Sequence, residues 1–327
     1  MKKNILIILT GGTISMKSVG NLGVIPTSEL ADFLSQFPQL EGVANVDVMD
    51  YLNIPSPYMN PEMMFNLAKT IDTKILAYDG VVVTHGTDTL EESAFLADLV
   101  LTTRKPVVFT AAMRSGGDLG LDGPRNIIGS VRVAGNHESF DKGVLVVMND
   151  EIHTARDVVK SDTGKVDAFT SPGLGALGTV DPDAIVYHRA TLYRESVWTE
   201  HLDTRVDLIK AVAGLDGRYI DCSVKSGCKA IVIEAFGRGN LPKDIIPNLK
   251  AAIEQGVLIV IASRTHTGRV LPEYGYEGGG KHLQDMGAIL AGDMKGIKVR
   301  LKLMALFGKY NDAELVRRFF LQSQELE

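Results

Sequence analysis

Two cysteines among 327 residues, Cys222 and Cys228, are too few for a disulfide framework and lack the partners of a metal-ligand set. That excludes a disulfide-stapled secreted scaffold, and reduced thiols in the cytoplasm are the simplest expectation. Positive charge is short as well: 34 Lys and Arg stand against 40 Asp and Glu, a net −6. With no basic cluster to offset it, that balance argues against a nucleic-acid partner, because phosphates need concentrated positive charge. Long apolar runs are missing too. None approaches the roughly 20 residues of a membrane span, so no membrane association is expected. No Asn-x-Ser/Thr acceptor occurs. The opening MKKNILIIL has the basic-then-apolar order of a signal peptide, but the apolar run is short and no small-residue cleavage site follows. It reads instead as a first strand.

What the chain does have is 45% hydrophobic content, enough for large cores, over a length that favours two domains. Residues 3–9, 46–52, 81–84, 105–110 and 143–148 are short apolar runs of strand character. Helical spacing appears between several of them: Leu30, Phe33, Leu34 and Phe37 behind a Thr27 or Ser28 cap, then Leu90, Ala94, Phe95, Ala97 and Leu101, then 126–134 behind Pro124. This alternation predicts an open, mostly parallel α/β sheet. Residues 53–61 read as irregular, interrupted by Pro55, Pro57 and Pro61. Residues 191–207 are polar and aperiodic, like a linker, before 230–234, 245–255 and 257–262 restart the pattern and 313–321 close it with an amphipathic helix. The expected organisation is a larger N-terminal catalytic α/β domain over 1–190, the linker over 191–207, and a smaller C-terminal α/β domain over 208–327.

Two turns carry the candidate chemistry. TGGTIS, residues 10–15, follows the first strand directly. Its two glycines remove Cβ bulk and permit positive φ, so that backbone and the Thr13 hydroxyl can approach a small ligand at a strand's carboxyl end. A threonine hydroxyl attacks only with help from a base, a lysine or an oriented water. The second turn, His85-Gly86-Thr87-Asp88-Thr89, lies between a strand and a helix N-terminus, where amides and the helix dipole favour negative charge. Asp88 with Glu91, or Thr89 with Glu92, fits a capping box. A cap needs only one side chain, whereas this turn offers hydroxyls, a carboxylate and a histidine. His85 itself reads as a packed or hydrogen-bonded histidine. Lys160 ends the apolar run Val158-Val159; most such lysines reach for water, while a buried one must be paired or neutral, and a neutral amine is a competent base. GLGALG at 173–178 matches a dinucleotide fingerprint in letters only, because it follows no strand and leads into no helix.

Together, TGGTIS, VVVTHGTDTLEESA, KPVVFTAAMR with DGPRN, GVLVVMND, RDVVK and GRGN run in an order that resembles the bacterial-type L-asparaginase/glutaminase family over essentially the whole chain. The resemblance implies hydrolysis of a side-chain amide, that of L-asparagine or L-glutamine, to a carboxylate and ammonia, with no metal and no organic cofactor. It implies Thr13 as nucleophile and Thr87, Asp88 and Lys160 as a second catalytic group, Lys160 assisting Thr87 or a water as base. Asp88 would also hold the substrate ammonium, and Ser56 its α-carboxylate. Homodimers or homotetramers with shared sites are implied, a neighbour's Asn240 and Glu277 completing each one. Two departures stand out. Residues 16–23 contain no tyrosine, where the family places one to orient the nucleophile, which leaves Tyr58, Tyr274 or Tyr276 as substitutes. Pro57 stands where a glutamine commonly follows the serine. Asparagine and glutamine differ by one methylene, worth only about 1–3 kcal/mol of discrimination, so asparaginase, glutaminase and mixed activity are all compatible with these motifs. The missing tyrosine also motivates an alternative of another class, a catalytically weak amino-acid sensor.

Overall fold

A computed structural model describes residues 2–12, 16–18, 24–26, 37–115, 118–191 and 194–325, which form two compact units, Met1–Ser196 and Val197–Glu327. Thr13 and the helix expected behind Thr27 lie outside the described residues, apart from Phe37 at its end.

In the first unit, strands occupy Asn4–Gly11 (β1), Met16–Ser18 (β2), Val24–Pro26 (β3), Asn45–Ile54 (β4), Gly80–Thr84 (β5), Val107–Thr110 (β6), Val144–Met148 (β7) and Glu151–Thr154 (β8). They are followed by Val159–Lys160 (β9), Phe169–Thr170 (β10), Gly178–Val180 (β11) and Ile185–Tyr187 (β12). The main sheet runs β12-β11-β8-β7-β6-β5-β1-β4, parallel from β4 to β7 and antiparallel from β7 to β12. Ile5, Ile7, Val82, Val108, Leu145 and Val147 are buried on one face against Ile127 and Val131 of the helix Gly123–Ala134. The reversal of direction comes at Asn149-Asp150, both at positive φ (49° and 64°), which suits a two-residue hairpin turn. GLGALG leads into β11 rather than a helix.

In the second unit, Val206–Lys210 (β13), Ala230–Ala235 (β14), Leu258–Ser263 (β15) and Ile289–Leu290 (β16) make an all-parallel sheet. Ile231, Ile233, Ile259 and Ile261 bury against Ile220 and Leu249 on the connecting helices Arg218–Lys225 and Ile246–Glu254. Both units are therefore α/β, the first the larger. The boundary is sharper than a linker over 191–207 would give: Val197 and Thr199 are buried, and Val206 and Asp207 already belong to β13.

The irregular reading of residues 53–61 holds only in part. Pro55 precedes a single 3-10 turn, Ser56–Tyr58, whereas Pro61 sits at the first position of the fourteen-residue helix Pro61–Lys74. A proline there forgoes no hydrogen bond, and the Asn60 side chain accepts from Met63 N–H at 2.9 Å as the cap.

Candidate active site

The carboxyl ends of β1, β5 and β6 lie side by side, as the register pairs of Leu9 with Thr84 and Thr84 with Thr110 show. They deliver the TGG, HGT and AAM segments to one edge of the sheet, the place where ligands bind in open α/β folds. Side chains lock the edge. Thr10 Oγ1 donates to Thr84 O at 2.9 Å, and His85 N–H donates to Thr110 O at 2.8 Å. Gly11 and Gly12 both hold positive φ (98° and 83°). A Cβ on Gly12 would sit 2.5 Å from Gly86 N, so the two turns touch backbone to backbone.

His85 is completely buried. Its Nδ1 lies 2.8 Å from Gly86 O, which can only accept, so Nδ1 carries the proton and Nε2 accepts from Ser93 Oγ–H at 2.9 Å. Burial pushes its pKa down to about 4, so the ring is neutral in the folded protein at ordinary pH. His153, also buried, is pushed down to about 4 by burial and secondarily by Arg189. The sign follows from proton linkage. Between pH 6.5 and about 4 the unfolded chain binds protons at these rings and the folded one does not, so stability is lost as pH falls. Above pH 6.5 the effect vanishes. At about 1.4 kcal/mol per unit, each ring is expected to withdraw on the order of 2 kcal/mol by pH 5. Urea unfolding at pH 7 and pH 5 checks this, and His85→Gln should shrink the difference by roughly one ring's share; an unchanged difference would refute the assignment.

The other residues singled out in this unit converge. Lys160 on β9 donates from Nζ to Thr87 Oγ1 at 2.9 Å and to Asp88 Oδ1 at 2.6 Å. Its side chain is 16% exposed and that of Asp88 56%, so the pair opens to solvent on the carboxylate side. Lys160 itself is half-buried. Ser56 is buried beside them: its Oγ accepts from Asp88 N–H at 3.2 Å, and its carbonyl accepts from Thr89 Oγ1 at 2.8 Å. Gly86 permits this approach, since a Cβ there would meet Ser56 Cβ at 2.6 Å.

The capping box does not form. Thr89, at the N-cap of the helix Leu90–Val100, makes no side-chain cap bond and turns to Ser56, while Glu91 accepts from the Lys160 N–H at 3.2 Å. Asp122 and Asn126 were legible only as a helix start, yet Asp122 accepts from Met113 N–H (2.9 Å) and Arg114 N–H (3.0 Å), and Asn126 Nδ2 donates to Ala111 O (3.0 Å). Together they fix the loop after β6. Their signal was two buried polar residues four apart at a helix N-terminus.

Asn240 and Glu277 belong to the second unit, on adjoining segments: Leu241 N–H donates to Gly278 O at 2.8 Å, and Asn240 Oδ1 accepts from Gly280 N–H at 3.4 Å. Glu277 is exposed. Of the tyrosines weighed as substitutes, Tyr58 is 70% exposed, and the Tyr274 and Tyr276 rings lie 5.7 Å apart on the surface of the second unit. Among the described residues, no group of three or more His, Cys, Asp and Glu is placed to hold a metal ion. No described helix is long and apolar enough to cross a membrane.

Residues 4–193 match the family described as asparaginase, N-terminal, and residues 205–320 match the glutaminase/asparaginase C-terminal domain. The chain belongs to the asparaginase family of amidohydrolases. Within the asparaginase family, a probable L-asparaginase of Deinococcus radiodurans is 38% identical over 97% of this chain and 96% of its own. A glutaminase-asparaginase of Pseudomonas aeruginosa is 32% identical over 97% of this chain and 90% of its own. Among solved structures, that of a probable cytoplasmic L-asparaginase from Campylobacter jejuni superposes with a TM-score of 0.87 at 31% identity, covering 98% of this chain and 99% of that one.

Proposed function

We propose that the protein hydrolyses the side-chain amide of L-asparagine to L-aspartate and ammonia. The observation that carries this reading is the Lys160 amine held at 2.9 Å from the Thr87 hydroxyl and 2.6 Å from the Asp88 carboxylate, at the carboxyl end of a parallel sheet. In the proposed sequence the Thr13 hydroxyl attacks the amide carbon, its proton passes to the departing nitrogen, and ammonia leaves an ester on the threonine. Water, deprotonated by the Thr87-Lys160 pair, then cleaves the ester and restores the hydroxyl. The exposed face of Asp88 takes the substrate ammonium, and Ser56, already bonded to Asp88 N–H, its α-carboxylate. Backbone N–H groups of the two glycine-bearing turns would stabilise the oxyanion. Asn240 and Glu277 would enter from a neighbouring copy in a dimer or tetramer, and a cytoplasmic location completes the reading.

Glutaminase activity is the second reading: a relative is a glutaminase-asparaginase, and Pro57 presents no amide beside Ser56 to set the preference between asparagine and glutamine. Ammonia release by the purified protein over a concentration series of L-asparagine and L-glutamine separates the two. Selective asparagine turnover is the expected result. Turnover of neither amide, with L-asparagine still raising the melting temperature, would replace hydrolysis by sensing.

A further inference from the structure

Glu91 sits one residue into the helix Leu90–Val100 and three after Asp88, and the residue is 8% exposed. A buried carboxylate at a helix start ordinarily serves the helix's own N–H groups. Here Oε1 accepts from the backbone N–H of Lys160, 69 residues away, at 3.2 Å. The hairpin explains why that N–H is available. β9 and β10 are two residues each, with Lys160 opposite Phe169, and the Ser161 N–H donates to Ala168 O at 2.7 Å. Hydrogen-bonded and non-bonded pairs alternate along an antiparallel ladder, so the Lys160 N–H points away from its partner strand. A hairpin this short is marginal by itself.

We infer that Glu91 is a positioning residue for the reaction: it pins the backbone of Lys160 to the same helix start that carries Thr87 and Asp88, so that the amine is presented to the Thr87 hydroxyl. Lys160 is thereby held at both ends, by Nζ on Thr87 and Asp88 and by its N–H on Glu91. Both anchor points lie within one turn of chain, so motion of the β9–β10 hairpin is not passed on to the distance between amine and hydroxyl. A displacement of about 1 Å in such a contact is enough to cost on the order of 100-fold in rate. The inference rests on the proposed part of Lys160 in amide hydrolysis.

Glu91→Met keeps the bulk and removes the acceptor; Glu91→Gln keeps an oxygen in place. Expected is a kcat for ammonia release from L-asparagine lowered about 10- to 100-fold in Glu91→Met, with KM within about 3-fold, and most of the rate recovered in Glu91→Gln. The readout that a merely structural residue would not give is the cycle with Lys160→Met. If Glu91 acts through Lys160, adding Glu91→Met to Lys160→Met lowers the rate no further. Equal losses in both backgrounds, an unchanged Glu91→Met, or equal losses in Glu91→Met and Glu91→Gln would each overturn the inference. Should Glu91→Met lose its circular dichroism, Glu91→Ala is read instead. A fully active Lys160→Met would sink the hydrolysis mechanism itself, while an inactive Lys160→Met beside an unaffected Glu91→Met sinks only the role of Glu91.

Discussion

Lys160→Met is expected to lower kcat for amide hydrolysis by about 10²- to 10⁴-fold, the range typical of a general base, with KM changed less than about 5-fold. Methionine keeps the length of the side chain, which is only 16% exposed, and removes the amine that touches Thr87 Oγ1 and Asp88 Oδ1. Thr87→Val should fall by a similar factor. Because the two groups act on one proton, the double variant should be no slower than the slower single. Asp88→Asn has a different signature: the same carboxylate faces solvent and would hold the substrate ammonium, so KM should rise as kcat falls. Steady-state ammonia release measures all four. A Lys160→Met variant retaining more than about a tenth of the parental rate would remove the lysine from the mechanism.

Gly12→Ala carries the second large effect. At φ 83° an alanine is strained by about 1–2 kcal/mol whatever its surroundings. In addition its Cβ would stand 2.5 Å from Gly86 N and 2.6 Å from Gly86 Cα, so the backbone of one turn must move. We expect a stability loss of roughly 2–4 kcal/mol and a rate lowered about 100-fold or more, because the displaced turn carries Thr87 and Asp88. Gly175→Ala is the matched control, with φ 74° and nothing within 4 Å of the added carbon, and should show only the conformational strain and a parental rate. Urea unfolding and kinetics on the two variants decide the matter. Equal behaviour would mean that the contact between the two turns is slack.

The parallel strands were legible because ILIIL, GVVVT and VLVVM are buried on both faces and so read as unbroken apolar runs. Of the helices that were not, two were hidden for opposite reasons. Pro61 looked like a breaker but opens Pro61–Lys74, and Gly296–Tyr310 hides its period because Lys298 and Lys302 are buried within it, the Lys302 amine lying 4.3 Å from the Phe320 ring. The meeting of Lys160 with Thr87 and Asp88 could be anticipated only through the family resemblance, since nothing local to RDVVK points across 72 residues to Asp88. Glu91 was obscured by a coincidence of spacing: its distance from Asp88 satisfies the capping-box pattern, and its bond to the Lys160 N–H is a tertiary one.

The position of β1 bears on how the chain is made. It leaves the ribosome before the other described strands, yet it lies inside the sheet, with Ile5 paired to Val46 on one side and to Gly80 on the other. At about 5–20 residues per second, its second neighbour arrives roughly 4–15 seconds after it. Until β4 arrives both edges of NILIIL are open, and from then until β5 arrives one edge still is, to any strand that passes, including the same segment of another nascent chain. Slower translation through residues 45–84 would lengthen this exposure, and chaperone capture of nascent chains should therefore be heaviest before residue 84 emerges.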